Sequence, residues 1–277
     1  MRVAYLGPPG TFSEEAVSRC ELATGDGVPY PTFADAYRAL RRGEVDGALL
    51  PIENSIEGSV GGNLDLLVAE PGPLIRRELL LPVRQHLLAR PGTRLEDVVR
   101  VLSHPQPFGQ CSRFLHERLP RAALEPTNST ADAARKVAAG EPGAAAIGSK
   151  TAAARYGLAV LAESIQDVDE NFTRFILLAQ SDEGPTGNDR TSIAFTLDRD
   201  RPGGLYEVLG EFASRGINLS KVESRPMKEA LGHYVFFLDF EAHRLDPAAA
   251  DALAGVRSRV HRLYLLGSHP RASAPTA

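Results

Sequence analysis

The sequence predicts an α/β region followed by a smaller, separate α+β domain. Three observations carry this. Across residues 1–180 short apolar runs alternate with helical patterns, the order that builds parallel sheets. Residues 181–190, SDEGPTGNDR, gather glycine, proline and short polar side chains and read as a linker. Residues 191–270 then follow the order β-α-β-β-α-β, that of ferredoxin-like domains, and residues 271–277 read as a tail.

In order, Arg2–Leu6 is a strand that runs into a Gly/Pro turn. A helix starts near Ser13, whose hydroxyl can cap it, with Glu14 and Glu15 suiting its positive end. Ala34–Arg42 is helical, Asp46–Leu50 a short buried strand and Asn63–Ala69 a helix. Leu79–Leu88 is extended and broken by Pro82. The alternation repeats through strand Val98–Leu102, helix Pro107–Leu119, strand Ala122–Pro126 and helix Ser129–Ala139. Strand Ala144–Ile147, helix Thr151–Tyr156 and the apolar strand Phe172–Ala179 complete the region. Past the linker, Thr191–Leu197 alternates like a strand, and Pro202 suits the first turn of a helix running to about Arg215. Strands Leu219–Arg225 and Tyr234–Phe240, a helix near Pro247–Val256 and a strand near Val260–Leu266 follow. The closing GSHPRASAPTA reads as frayed.

With 277 residues, 43% of them apolar and 24% charged, the chain can bury the cores of two or three domains. A net charge of −4, from 31 basic and 35 acidic residues, argues against a nucleic-acid binder, as does the absence of tryptophan for stacking on bases. MRVAYLGPPG lacks the apolar stretch of a signal peptide, and no apolar run approaches the ~20 residues of a membrane span. The expected location is the cytoplasm, with no membrane partner. Cys20 and Cys111 sit in neither a CxxC nor a Cys/His metal spacing and read as ordinary thiols, so no metal site is expected.

Five motifs set polar groups at strand or helix ends. GPPGTFS (Gly7–Ser13) puts the hydroxyls of Thr11 and Ser13 at a helix start, where N–H groups and the helix dipole face an anion; taken alone, a plain strand–turn–helix with a Ser cap is the commoner reason for such a pattern. PIENSIEGSVGGN crowds Glu53, Asn54 and Ser55 at a strand's end, or forms a turn whose side chains bond their own backbone. SHPQPFGQCS sets Ser103, His104 and Gln106 after a strand, with Gln110 one turn into a helix; the histidine and prolines also suit a structural role. NSTADAA opens a helix with Asn128, Ser129 and Thr130, for which capping is a sufficient reason. NFTRFILL begins an apolar strand with Thr173 and Arg174, where threonine also has good strand propensity. In an α/β region such ends converge on a crevice.

The strings GPPGTFS, PIENS, SHPQ…QC, NSTADAA, AAIGS and NFTRF resemble, in order, the motifs of prephenate dehydratases. RPGGLYEVLGEFASRGINLSKVESRP is similar to the ACT regulatory domain that accompanies them. The resemblance implies a two-lobed catalytic region over 1–180, like the type II periplasmic binding-protein fold, with the second lobe over about 80–155. It implies decarboxylative dehydration of prephenate to phenylpyruvate without a cofactor. Thr173 would be the catalytic hydrogen-bond donor. Asn54, Ser103 and Gln110 would orient substrate, Thr11, Ser13 and Thr130 would contact carboxylates, and Ser55, Arg174 and Phe175 would complete the pocket. In the ACT part, Gly203, Gly204, Leu205 and the segment Glu223, Ser224, Arg225 and Pro226 would hold inhibitory phenylalanine between two subunits, so a dimer or tetramer is expected. The first motif begins at Gly7, which leaves no room for a fused chorismate mutase, and the chain is expected to be monofunctional. Two alternatives stay open: an arogenate dehydratase, and a non-enzymatic amino-acid-binding sensor.

Overall fold

The computed structural model describes residues 1–25, 27–140, 142–197, 201–227 and 234–272. Its described residues form two units, one of Met1–Val60 with Leu80–Phe175, the other of Gly61–Leu79 with residues 176–272. The chain opens with β1 (Val3–Leu6), α1 (Phe12–Ser18), β2 (Val28–Tyr30), α2 (Phe33–Arg41), β3 (Gly47–Asn54) and β4 (Gly58–Ser59). Next come α3 (Gly61–Ala69), β5 (Leu74–Pro82), β6 (His86–Ala89), β7 (Arg100–Ser103), α4 (Pro105–Gln110) and α5 (Ser112–Arg118). Then follow β8 (Ala123–Pro126), α6 (Thr130–Ala139), β9 (Ala144–Gly148), α7 (Lys150–Tyr156), β10 (Ala159–Ala162) and β11 (Phe172–Ala179).

The first sheet has the order β2-β1-β3-β11-β5, with β4 paired to β3, and β1 runs parallel to both neighbours. The second has the order β10-β6-β9-β7-β8. There β7 lies parallel to β8 and β9, but β6 is antiparallel to β9 and β10. The expected parallel sheets are therefore one mixed sheet in this half. β6 and β10 are the strands by which the chain enters and leaves it, and reversed strands of this kind are common in α/β folds.

Alternation explains how both faces of the second sheet are filled. Leu87, Ala145 and Ile147 pack on Cys111 and Leu115 on one side. Their neighbours Leu88, Ala144 and Ala146 pack on Ala133, Ala134 and Val137 of α6 on the other. The alanines of β9 let the helix approach closely.

Three local readings change. Thr11, not Ser13, caps α1, accepting from Glu14 N at 3.3 Å. The single helix expected over Pro107–Leu119 is two, α4 and α5, joined at Cys111. The second starts afresh because the Asp167 carboxylate accepts from Ser112 Oγ at 2.8 Å and Arg113 N at 3.2 Å, an acid at a helix's positive end. The first starts at Pro105, since proline suits an opening turn and His104 caps it.

The second unit carries β12 (Asp189–Thr196), α8 (Gly204–Ala213), β13 (Leu219–Pro226), β14 (Tyr234–Phe240), α9 (Pro247–Arg257) and β15 (Arg262–Pro270). Its antiparallel sheet has the order β13-β14-β12-β15, the predicted ferredoxin-like arrangement. Ile193, Phe195, Leu238 and Phe240 meet Val208, Phe212, Ala249 and Val256 of the two helices in one core. Residues 267–270 are not frayed: they continue β15, and Ser268 Oγ lies 2.8 Å from Thr191 Oγ1. Pro202 precedes α8, which is capped by Gly203 with φ 85°. Among the described residues no helix is long and apolar enough to cross a membrane.

Candidate active site

Within the first unit, a cavity of about 580 Å³ opens where the strand and helix ends of its two sheets face one another. Of the residues expected to form a site, Thr11, Ser13, Asn54, Gln110, Thr130, Thr173 and Phe175 line it. Asn128, Ser129, His104 and Gln106, polar members of the same motifs, line it too.

At its centre is a fixed pair. Asn54, at the end of β3, accepts at Oδ1 from the backbone N–H groups of Ile56 and Glu57, both at 3.0 Å. That orients the amide, so its Nδ2 donates to Thr173 Oγ1 at 3.0 Å and to Asn171 Oδ1 at 2.8 Å. With its oxygen accepting from Asn54, the Thr173 hydroxyl keeps its own proton for another acceptor. Along β11, residues 173 and 175 share a face, which brings Thr173 and the buried Phe175 to the cavity. Arg174 lies on the opposite face, buried, with Nη1 3.9 Å from Glu53 Oε2, and does not line the cavity.

The walls supply uncharged donors. Ser13 and Thr130 are buried side chains whose hydroxyls have no protein partner among the described residues. Thr11 is more occupied: its hydroxyl donates to Leu6 O at 3.0 Å and caps α1. The loop that carries it is cinched by Glu14, which accepts from Gly10 N at 2.6 Å and Tyr5 OH at 3.2 Å. α6 begins at Thr130 behind its cap Ser129 and directs its positive end at the same walls. Gln110 is held at both ends, accepting from Gln85 Nε2 and donating to Glu57 Oε1, each at 3.4 Å.

Two other expected residues stand elsewhere. Ser103 is fully buried and donates to Ile147 O at 3.1 Å, tying β7 to β9. Ser55 donates to Glu170 O and accepts from Phe172 N, latching the end of β3 to the start of β11. Gln85, Phe33 and Glu57 line the cavity without having been anticipated. Gln85 is buried, and its Oε1 has no hydrogen-bond partner among the described residues.

In the second unit, Gly203 caps α8, Gly204 opens it and Leu205 packs on the core. Arg225 donates to both oxygens of Asp65 on α3, at 2.7 and 3.3 Å, and lies 3.6 Å from Glu223. Ser224 and Pro226 lie on the same strand, β13.

The family model for prephenate dehydratase matches residues 3–183, and that for the ACT domain matches residues 191–257. A prephenate dehydratase of Amycolatopsis methanolica is 43% identical over 281 residues, spanning 100% of this chain and 90% of its own. The crystal structure of a prephenate dehydratase from Arthrobacter aurescens in complex with L-Phe is 40% identical, with a TM-score of 0.90 over 97% of this chain and 90% of that one. GqqA, described as a novel type of quorum-quenching acylase, is 29% identical with a TM-score of 0.88, covering 98% of each chain.

Proposed function

Because this chain belongs to the prephenate dehydratase family, we propose that the cavity around Thr173 converts prephenate to phenylpyruvate, and that the ACT domain makes the reaction sensitive to phenylalanine. The observation that carries the reading is the Asn54–Thr173 bond at 3.0 Å inside a cavity lined by hydroxyls and amides.

Prephenate carries a carboxylate and a hydroxyl at opposite positions of a cyclohexadiene ring. The bond to the carboxylate breaks, its electron pair moves into the ring, and the C–O bond breaks. The departing hydroxide is then neutralised by a proton from the buffered solvent. Aromatisation drives this downhill, so the protein's task is alignment and stabilisation of the leaving oxygen. Thr173 donates to that oxygen while Asn54 holds its own, and positioned donors of this kind give about 10²–10⁴-fold. Ser13, Thr130 and the start of α6 anchor carboxylates, Gln110 orients the ring and Phe175 shapes its pocket. Ser55, Ser103 and Arg174 support these from outside the cavity. An N-acyl hydrolase would instead need a base to activate its nucleophile, and an amide cannot take the Thr173 proton.

We assign residues 1–180 to catalysis, 181–190 to a linker and 191–270 to regulation. Phenylalanine binds between Gly203–Leu205 of one subunit and Glu223–Pro226 of a second in a dimer or tetramer. The working compartment is the cytoplasm. The test is phenylpyruvate formation from prephenate by the wild type and by Thr173→Ala. The variant should lose at least about 10²-fold in kcat while melting at the wild-type temperature; undiminished turnover refutes the role of Thr173.

A further inference from the structure

The charge balance of the cavity carries one inference, which rests on the dehydratase reading and deepens it. Among the described residues Glu57 is the one carboxylate on the lining, and the lining holds no lysine or arginine. The other titratable side chain there is His104, whose Nδ1 accepts from Gln106 N at 3.4 Å. Glu57 is fixed at two points: its N–H donates to Asn54 Oδ1 at 3.0 Å, and its Oε1 accepts from Gln110 Nε2 at 3.4 Å. The carboxylate is thus tied to the amide that holds Thr173 and to the amide placed to orient the ring.

We infer that Glu57 is a specificity-determining residue that favours a ring side chain ending in an α-amino acid over one ending in an α-keto acid. Prephenate carries two negative charges. Arogenate, its amino-acid counterpart, replaces the keto oxygen with an ammonium group and carries one net negative charge. The bonds broken at the ring are the same in both. The cube root of 580 Å³ is about 8 Å, so any ligand filling the cavity feels Glu57 at close range. A unit charge at that distance in a half-solvated cleft shifts binding by about fivefold. The two substrates carry the same two carboxylates, so the shift acts on their one difference, the ammonium, and favours it. Salt weakens it, because the Debye length at physiological ionic strength is also about 8 Å.

The experiment measures kcat/KM on prephenate and on arogenate for the full-length wild type, Glu57→Gln and Glu57→Asp, at low and high salt. In Glu57→Gln, which keeps an acceptor for Gln110, the arogenate-to-prephenate ratio falls by about fivefold, the effect of that one charge. Glu57→Asp retains the charge and keeps most of the ratio. Added salt lowers the wild-type ratio and leaves that of Glu57→Gln unchanged. A Glu57→Gln ratio within about twofold of wild type overturns the inference. If the wild type still turns over prephenate in that case, only the role of Glu57 is lost. A wild type inert on both substrates overturns the dehydratase reading and the inference together.

Discussion

A side chain's neighbours decide its chemistry more than its type does, and the two cysteines make the point. Cys111 is fully buried at the junction of α4 and α5, and its thiol is pushed up to about 12 by burial first and then by the nearby negative charge of Asp167. The thiolate is the reactive form, so Cys111 is inert at any working pH. Its raised value means that the folded protein keeps a proton the unfolded chain loses, and stability falls as pH rises from about 9 towards 12, with no effect below that window. Iodoacetamide at pH 8 should label Cys20 in the native protein and reach Cys111 only after denaturation. Peptide mass spectrometry reads this directly, and native labelling of Cys111 would contradict its burial. The same dependence on neighbours limits what the sequence reveals. Asn54, Gln110 and Thr173 were legible as polar residues at element ends. Ser103 and Arg174 carried the same signal, but the face each turns to follows from strand register, and both turn away. Gln85 gave no signal, because it lies within the extended segment Leu79–Leu88, outside all five motifs.

Elements were legible where apolar period and caps agreed, and misread where a distant residue sets the boundary. α6 begins behind Ser129, as the sequence indicates. The break between α4 and α5 is imposed by Asp167, about fifty residues downstream, which no local pattern reveals. β15 is the clearest case. Its last residues look like a tail, yet they pair with β12 as far as Pro270 opposite Asp189. Gly267 within it has φ 136°, and a Cβ there would stand 2.5 Å from Ile75 O and 2.6 Å from Ile75 N, on β5 of the same unit. Backbone atoms cannot step aside as a flexible side chain can. Gly267→Ala should therefore cost about 2–4 kcal/mol and lower the melting temperature by about 5–10 °C. Gly62→Ala, in α3 with nothing within 4 Å of the added methyl, should be neutral or slightly stabilising. Equal melting temperatures for the two variants would show that β15 and β5 do not approach so closely.

At the scale of the whole molecule, one polypeptide joins the candidate cavity to an ACT domain, and two strands, β5 and β11, have residues in both units. Thr173 itself sits on β11. If phenylalanine inhibits by weakening substrate binding, linkage requires prephenate to weaken phenylalanine binding by the same factor. Couplings of this kind are typically about 5–150-fold. The Thr173→Ala variant makes the equality measurable, because its expected loss of turnover slows consumption of prephenate during the titration. Titration calorimetry with phenylalanine, with and without saturating prephenate, gives one factor, and the converse titration gives the other. The two should agree, and both should exceed about fivefold. Phenylalanine should also raise the melting temperature of the full chain, since a ligand at about 100 times its Kd stabilises the state it binds by roughly 2.7 kcal/mol. Absence of heat at millimolar phenylalanine would remove the effector. Equal affinities with and without prephenate would leave a bound amino acid that does not act through substrate binding, because a ligand shifts an equilibrium only by its difference in affinity for the two states.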